Sequence, residues 1–436
     1  MKVELKFERE ALTSGKQNTI CAVIVISNNG NITIPQTRYP INVAIALDRS
    51  GSMLKEYKLE QARHAVVYLL ERLTEVDIFS LVTFGNKPEI IVESVPPIDK
   101  IAIKRKLSSI RASGSTALYD GWKFACGEVE KNIYKNFINR VIVITDGLAN
   151  RGETHPKRIC DSVSKQAKLG ISTSTIGLGS DFCEDLLQKM ALKGDGNYWY
   201  IENPKFLKDI FEGELNGISS TTARRLSLKI ETKNPNVKID VLNDLPIEDN
   251  YVKLGDIQLN SIIKVAVQFI FPPSGEDLFE KITLLLKYFS VIENKVKNEI
   301  FEFQIPKIPV LDARSLRLNP EVIKDIQIFK SARAEKEAIM YNDLGKKDLA
   351  LKTIISSYEQ LSKVLEQLPE ECTPEITKEL NRKKFLETTI SSTGISKTLR
   401  KQITYARYLT STQKKGGTIE DTLNKINFLK ELETNT

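Results

Sequence analysis

The chain has 436 residues and sets 63 Lys and Arg against 56 Asp and Glu, a formal net charge of +7, too dilute a surplus to announce a nucleic-acid binder. Its composition, 41% hydrophobic and 27% charged, is that of a globular protein, and no apolar run approaches the ~18–20 residues that span a bilayer. The length exceeds one ordinary core and predicts roughly two to four domains.

Five cysteines (Cys21, Cys126, Cys160, Cys183 and Cys372) are scattered without C-x-x-C spacing. That argues against a disulfide framework or zinc site and for a reducing compartment. The opening "MKVELKFERE" alternates apolar and charged residues like an edge strand and lacks the apolar core of a signal peptide. A cytoplasmic protein without membrane contact is expected.

In chain order, Val3–Phe7 and Ile20–Ser27 read as strands parted by "TSGKQN". From Ile41 the runs "INVAIAL", "DIFSLVTF", "VIVIT", "ISTSTIGLG" and "NYWYIE" alternate with helical segments near 55–73, 117–133, 156–169, 182–192 and 204–216. This predicts an α/β fold, a doubly wound, mostly parallel, Rossmann-like sheet covered on both faces. Residues 218–306 then give Val-, Ile- and Leu-rich strands with turn clusters between them, the signature of a β-sandwich. Asn319–Leu344, Lys347–Leu368, Glu375–Thr389 and Ser396–Leu409 read as amphipathic helices.

The N-terminal strands cannot bury an apolar face alone. They are expected to join the sandwich as an outer pair, with the α/β domain inserted into it. The expected division is 1–37 for those strands, 38–217 for the α/β domain, 218–310 for the sandwich and 311–409 for a C-terminal helical domain. Residues 410–436 would be a flexible Thr-rich tail with one short helix.

Open α/β sheets bind ligands at the carboxyl ends of their strands. Here one strand ends in "DRSGSM", delivering Asp48, Ser50 and Ser52; the loop "GSTALYDG" presents Thr116; and "VIVIT" runs into Asp146 and Gly147. Taken singly, a hydroxyl before a helix is usually a cap and an Asp after a strand usually makes a turn. Together they are two carboxylates and three hydroxyls, hard oxygen donors suited to Mg²⁺ or Mn²⁺. Gly51 would permit the tight turn that puts Ser50 and Ser52 on one side. An ion held by so few negative ligands would take water or an outside acidic group to complete its octahedron.

"DRSGSM", "GSTAL" and "ITDG" resemble the von Willebrand factor A (VWA) domain with its metal-ion-dependent adhesion site (MIDAS), over about residues 41–216. The resemblance implies that Ser50, Ser52 and Thr116 coordinate the ion through hydroxyls. It implies that Asp48 and Asp146 act directly or through water, and that a partner carboxylate fills the open position. The whole layout resembles the trunk of the vesicle coat proteins, and also the crenarchaeal VWA regulators that repress archaellum (motility) expression with a forkhead-associated (FHA) domain partner.

Enzyme chemistry is not expected. His64 and His155 lack a nucleophile and orienting acid at useful spacing, and no P-loop is present. The alternatives are a metal-dependent phosphohydrolase and a nucleic-acid-associated scaffold. The latter rests on "NRKK" (381–384), Lys397, Arg400, Lys401 and Arg407 with Tyr405 and Tyr408 interleaved, where a solvated helix face is the competing reading. In the tail, Thr418 follows "KKGG" and has Asp421 three residues on. It reads both as a helix cap and as a kinase target. The resemblance makes it the expected docking site of an FHA-domain partner after phosphorylation by a Ser/Thr kinase, with Thr422, Ser411 and Thr412 as weaker candidates. The expected protein is a non-enzymatic signalling scaffold.

Overall fold

A computed structural model of the chain describes residues 1–28, 39–134, 137–273, 278–309 and 316–413. Strands β1 (Lys2–Phe7), β2 (Leu12–Thr13) and β3 (Asn18–Ser27) come first. An α/β segment follows: β4 (Ile41–Asp48), α1 (Lys58–Arg72), β5 (Ile78–Phe84), β6 (Pro88–Val95), α2 (Lys100–Ser109), α3 (Leu118–Glu130), β7 (Ile138–Thr145), α4 (Pro156–Leu169), β8 (Ile171–Leu178), α5 (Glu184–Lys193), β9 (Asp195–Ile201) and α6 (Leu207–Ser219). Then come β10 (Thr221–Thr232), β11 (Lys238–Val241), β12 (Ile247–Glu248), β13 (Tyr251–Gln258), β14 (Ile262–Phe271), β15 (Phe279–Ser290) and β16 (Lys295–Ile308). Helices α7 (Pro320–Asp343), α8 (Lys347–Leu365), α9 (Thr373–Thr393) and α10 (Lys397–Thr412) close the described chain.

The α/β sheet has the order β6-β5-β4-β7-β8-β9, parallel except for β6. Every residue of β4 and β7 is buried, as strands covered on both faces must be. The chain leaves β4 toward β5 on one side and returns to β7 on the other, so the sheet reverses order between β4 and β7. A crevice opens at the carboxyl ends of such a strand pair. Two elements fall outside the expected alternation. Strand β6 fully buries only Val92, and α2 only Ile103 and Leu107; neither leaves a full apolar stripe in the sequence.

The sandwich pairs a four-stranded sheet, β1-β3-β14-β11, with a six-stranded one, β12-β13-β10-β15-β16-β2. Strands β1 and β3 lie together at one end of the four-stranded sheet, with β1 at its edge and β3 the inner of the two. Strand β3 bonds to β1 on one side and to β14 on the other, from Asn18–Phe271 to Ser27–Ile262. Alternate residues explain its unbroken apolar run. Ile20, Ile24 and Ile26 face Leu228, Leu284 and Leu286 inside the sandwich, while Cys21 and Val23 meet Val322, Ile326 and Phe329 of α7.

Helix α10 lies against the α/β unit. Tyr405 and Tyr408 belong to its core cluster, and the Tyr198 amide donates to the Tyr408 hydroxyl at 3.0 Å. The helix runs on through Ser411 and Thr412, so these two are not in a flexible tail as expected. Thr412 is buried and its hydroxyl donates to the Tyr408 carbonyl at 2.8 Å.

The same packing withdraws most of the basic patch behind the nucleic-acid reading, leaving Lys384 and Lys397 exposed. Arg400 is held by Glu184, by Asp185 at 2.7 Å and by Asp343 at 3.1 Å. Lys401 donates to Glu184 at 3.0 Å and Arg407 to the Ala332 carbonyl at 3.1 Å. Arg382 and Lys383 both bind the buried Glu335. Charges spent inside the fold cannot also neutralise phosphates. Among the described residues no helix is long and apolar enough to cross a membrane.

Candidate metal centre

Asp48 is the last residue of β4 and fully buried. Its Oδ1 accepts the Ser50 amide at 2.7 Å, and its Oδ2 accepts the Thr145 hydroxyl at 2.6 Å. Thr145 ends β7, one strand over. The two strand ends that flank the crevice are thereby tied side chain to side chain. The Ser50 and Ser52 hydroxyls stand 3.1 Å apart, and the Ser52 hydroxyl donates to Asp146 Oδ1 at 2.6 Å. Asp146 follows β7 and is as buried as Asp48.

Thr116 arrives on the loop between α2 and α3, which backbone bonds anchor to its neighbours. Ser113 N–H donates to the Arg49 carbonyl, Gly51 N–H to the Gly114 carbonyl and Ala117 N–H to the Gly85 carbonyl. Asn150 fixes the other side: the Thr116 amide donates to its side chain at 2.9 Å, and its own amide donates to the Thr116 carbonyl at 3.2 Å. Glycine after Asp146 has a steric reason. A Cβ on Gly147 would sit 2.9 Å from the Thr116 hydroxyl and force it to shift.

Gly51 does not play its expected part. It has no left-handed φ, and a Cβ there would meet only the Gly114 carbonyl at an ordinary 3.7 Å. The left-handed residues of this turn are Glu56 and Tyr57, with φ of 54° and 55°. They absorb the reversal that leads into α1.

The structure thus brings Asp48, Ser50, Ser52 and Asp146 into one hydrogen-bonded chain, with Thr116 against Gly147. Burial pushes the Asp48 carboxyl up to about 6 against the lowering hydrogen bonds from Thr145 and Ser50, and the Asp146 charge adds to the rise. Two carboxylates in so dry a place call for positive charge. The donor set is all oxygen, and the glycine at 147 leaves room beside it for the Thr116 hydroxyl. The residues fit a hard divalent cation. Among the described residues no group of three His, Cys, Asp or Glu forms a metal cluster; this set has two carboxylates and draws its other donors from hydroxyls.

Lys58, Thr145 and Asn150 belong to the neighbourhood and are not part of the expected set. For Lys58 the sequence carried one signal: a lysine in the first turn of a helix opposes the helix dipole. His64 and His155 are exposed and belong to no site. Thr418 and Thr422 lie outside the described residues.

Residues 42–213 match the von Willebrand factor type A domain. The chain contains such a domain, with its Rossmann-like, mostly parallel sheet. Among curated relatives, the uncharacterized protein YfbK of Escherichia coli is 31% identical over 191 residues, 44% of this chain and 33% of that protein. The chain spans about a third of the length of the curated relatives it matches first. Among solved structures, the ArnB paralog VWA2 from Sulfolobus acidocaldarius is similar over 95% of this chain and 99% of its own, with a TM-score of 0.63 at 18% identity. A human COPII-coat protein is similar over 86% of this chain and 58% of its own, with a TM-score of 0.54 at 11% identity. At these identities the likeness is one of fold.

Proposed function

We propose that this chain is a non-enzymatic interaction protein that holds Mg²⁺ or Mn²⁺ among Asp48, Ser50, Ser52, Thr116 and Asp146 and offers the ion's open position to a carboxylate of a protein partner. The observation that carries the reading is two fully buried carboxylates linked through Ser50 and Ser52 at the sheet's switch point. The bound ion would supply a Lewis-acidic contact to an anionic ligand. The chain's residues would supply its orientation: Thr145 aims Asp48, and Asn150 aims the Thr116 loop. The surroundings suit a protein ligand. Leu54, Tyr57 and Leu148, close in sequence to these residues, are 69%, 73% and 54% exposed, apolar surface that a protein ligand can cover.

Magnesium should raise the thermal midpoint, since only the folded site binds it. A concentration ~100-fold above Kd adds about 2.7 kcal/mol. Asp48→Ala should abolish the rise. Equal responses of wild type and variant to magnesium and chelator would remove the site from consideration. Turnover of phosphoesters by wild type, lost in the variant, would favour the phosphohydrolase alternative.

The FHA-domain partner, the kinase and the repression of archaellum expression belong to the same scaffold reading. They rest on the layout and on Thr418 with Asp421 after the glycine pair. Calorimetry of the FHA protein against a 411–436 peptide should show binding only when Thr418 is phosphorylated. In the source cell Thr418→Ala should derepress archaellum genes. Equal affinity for both peptides would eliminate the tail as a docking site.

A further inference from the structure

Only one oxygen of Asp146 faces the serines. Oδ1 takes the Ser52 hydroxyl, while Oδ2 takes the Lys58 ammonium at 3.1 Å. This lysine is the first residue of α1, where its charge gains nothing from the helix, and its side chain is only 4% exposed. A Cβ at Gly179, just past β8, would lie 3.0 Å from Nζ, so the glycine leaves the ammonium its space. Glu56 approaches from outside at 3.9 Å but is itself exposed, and solvent screens it. A buried cation is thus built into the edge of the ligand set.

We propose that Lys58 sets the charge of the site so that the divalent ion and an outside carboxylate bind well together and poorly apart, an inference that rests on the metal reading above. Asp48 and Asp146 contribute two negative charges and Lys58 one positive. The site alone is singly negative; with the ion it is singly positive; with the ion and one carboxylate it is neutral. Without Lys58 the ion alone would bring neutrality, and a carboxylate would then leave a buried negative charge. Net charge in a dry site is costly. The lysine therefore moves the favourable state from the ion alone to the ion with its acidic ligand. The coupling is reciprocal, each ligand tightening the other by the same factor. A unit charge and a divalent charge about 6 Å apart, at an effective dielectric of about 20, interact strongly enough to change an affinity by about 10,000-fold.

The test is calorimetry of Mg²⁺ at pH 8 with the full chain, alone and with acetate as the carboxylate probe. Wild type should bind magnesium weakly and tighten with acetate. Lys58→Met should bind magnesium alone at least 10-fold tighter and lose the acetate effect, whereas Lys58→Arg should keep the wild-type pattern. Circular dichroism checks folding first. If Lys58→Met unfolds, Lys58→Gln, which keeps a donor for Asp146 Oδ2, is read in its place. Unchanged magnesium affinity and acetate response in the folded neutral variant would overturn this inference and leave the metal reading standing. No magnesium binding by either protein would remove both.

Discussion

Arg140→Ala is expected to destabilise the protein by about 3–5 kcal/mol, the cost of stranding a buried charge. Arg140 lies in β7 and is 4% exposed. One nitrogen meets Glu214 of α6 at 2.7 Å, another meets Asp256 of the sandwich at 3.2 Å, and Nε donates to the Ser172 hydroxyl at 2.9 Å. Glu214 also accepts from Ser174, from Asn197 at 2.7 Å and from Trp199 at 3.0 Å. Burial alone would raise the Glu214 carboxyl. Arg140 and these hydrogen bonds outweigh burial and hold it below the usual carboxylate range.

A depressed carboxyl stabilises the fold fully above its unfolded value and loses that contribution as pH falls through the lower folded one. The penalty of Arg140→Ala should accordingly be largest near neutrality and shrink in acid. Urea unfolding measures it. Arg140→Ala with Glu214→Gln should recover part of the loss, because the stranded charge is gone. A difference below about 1 kcal/mol at pH 7 would show the network to be dispensable.

Deleting residues 1–28 should prevent folding of the sandwich altogether. Leu12, Ile20, Ile24 and Ile26 are completely buried. At about 1.5–3 kcal/mol per side chain they account for roughly 6–12 kcal/mol, comparable to the ~5–15 kcal/mol that holds a typical domain together. The deletion also strips a full ladder from β14. Soluble protein with an unchanged unfolding profile would mean that the six-stranded sheet stands without its companion.

How much of this could be read from the residues depended on how local the cause was. Strand β4 announces itself because burial on both faces forces an unbroken apolar run, and its terminal Asp48 stands out against that run. Asp146 after β7 is visible for the same reason. Strand β6 lies at a sheet edge and alternates with exposed glutamates, so its pattern blends with loop. Helix α10 misled more seriously. Arg400 and Lys401 look like solvated charges because their partner, Glu184, is far away in sequence, and no local spacing records the pairing. Tyr405 and Tyr408 read as aromatics interleaved in a basic face; in the fold they complete the core of another unit. Lys58 was hidden differently: its partner Asp146 lies across the sheet, and only its poor placement at a helix start hinted at a role.

The pairing of β3 with β14 also sets a timetable for synthesis. About 240 residues separate the two strands, which at ~5–20 residues per second is roughly 12–50 s of translation. Throughout that interval β3 can find β1, its partner within the first 28 residues, but its other edge has nothing native to bond. The nascent chain therefore carries an open, apolar strand edge while the whole VWA domain is being made. Such an edge is prone to pair with whatever extended chain it meets. Slow or stalled ribosomes between codons 28 and 262 would lengthen the exposure, and the yield of native protein should be governed there by chaperone supply and not by the stability of the finished fold.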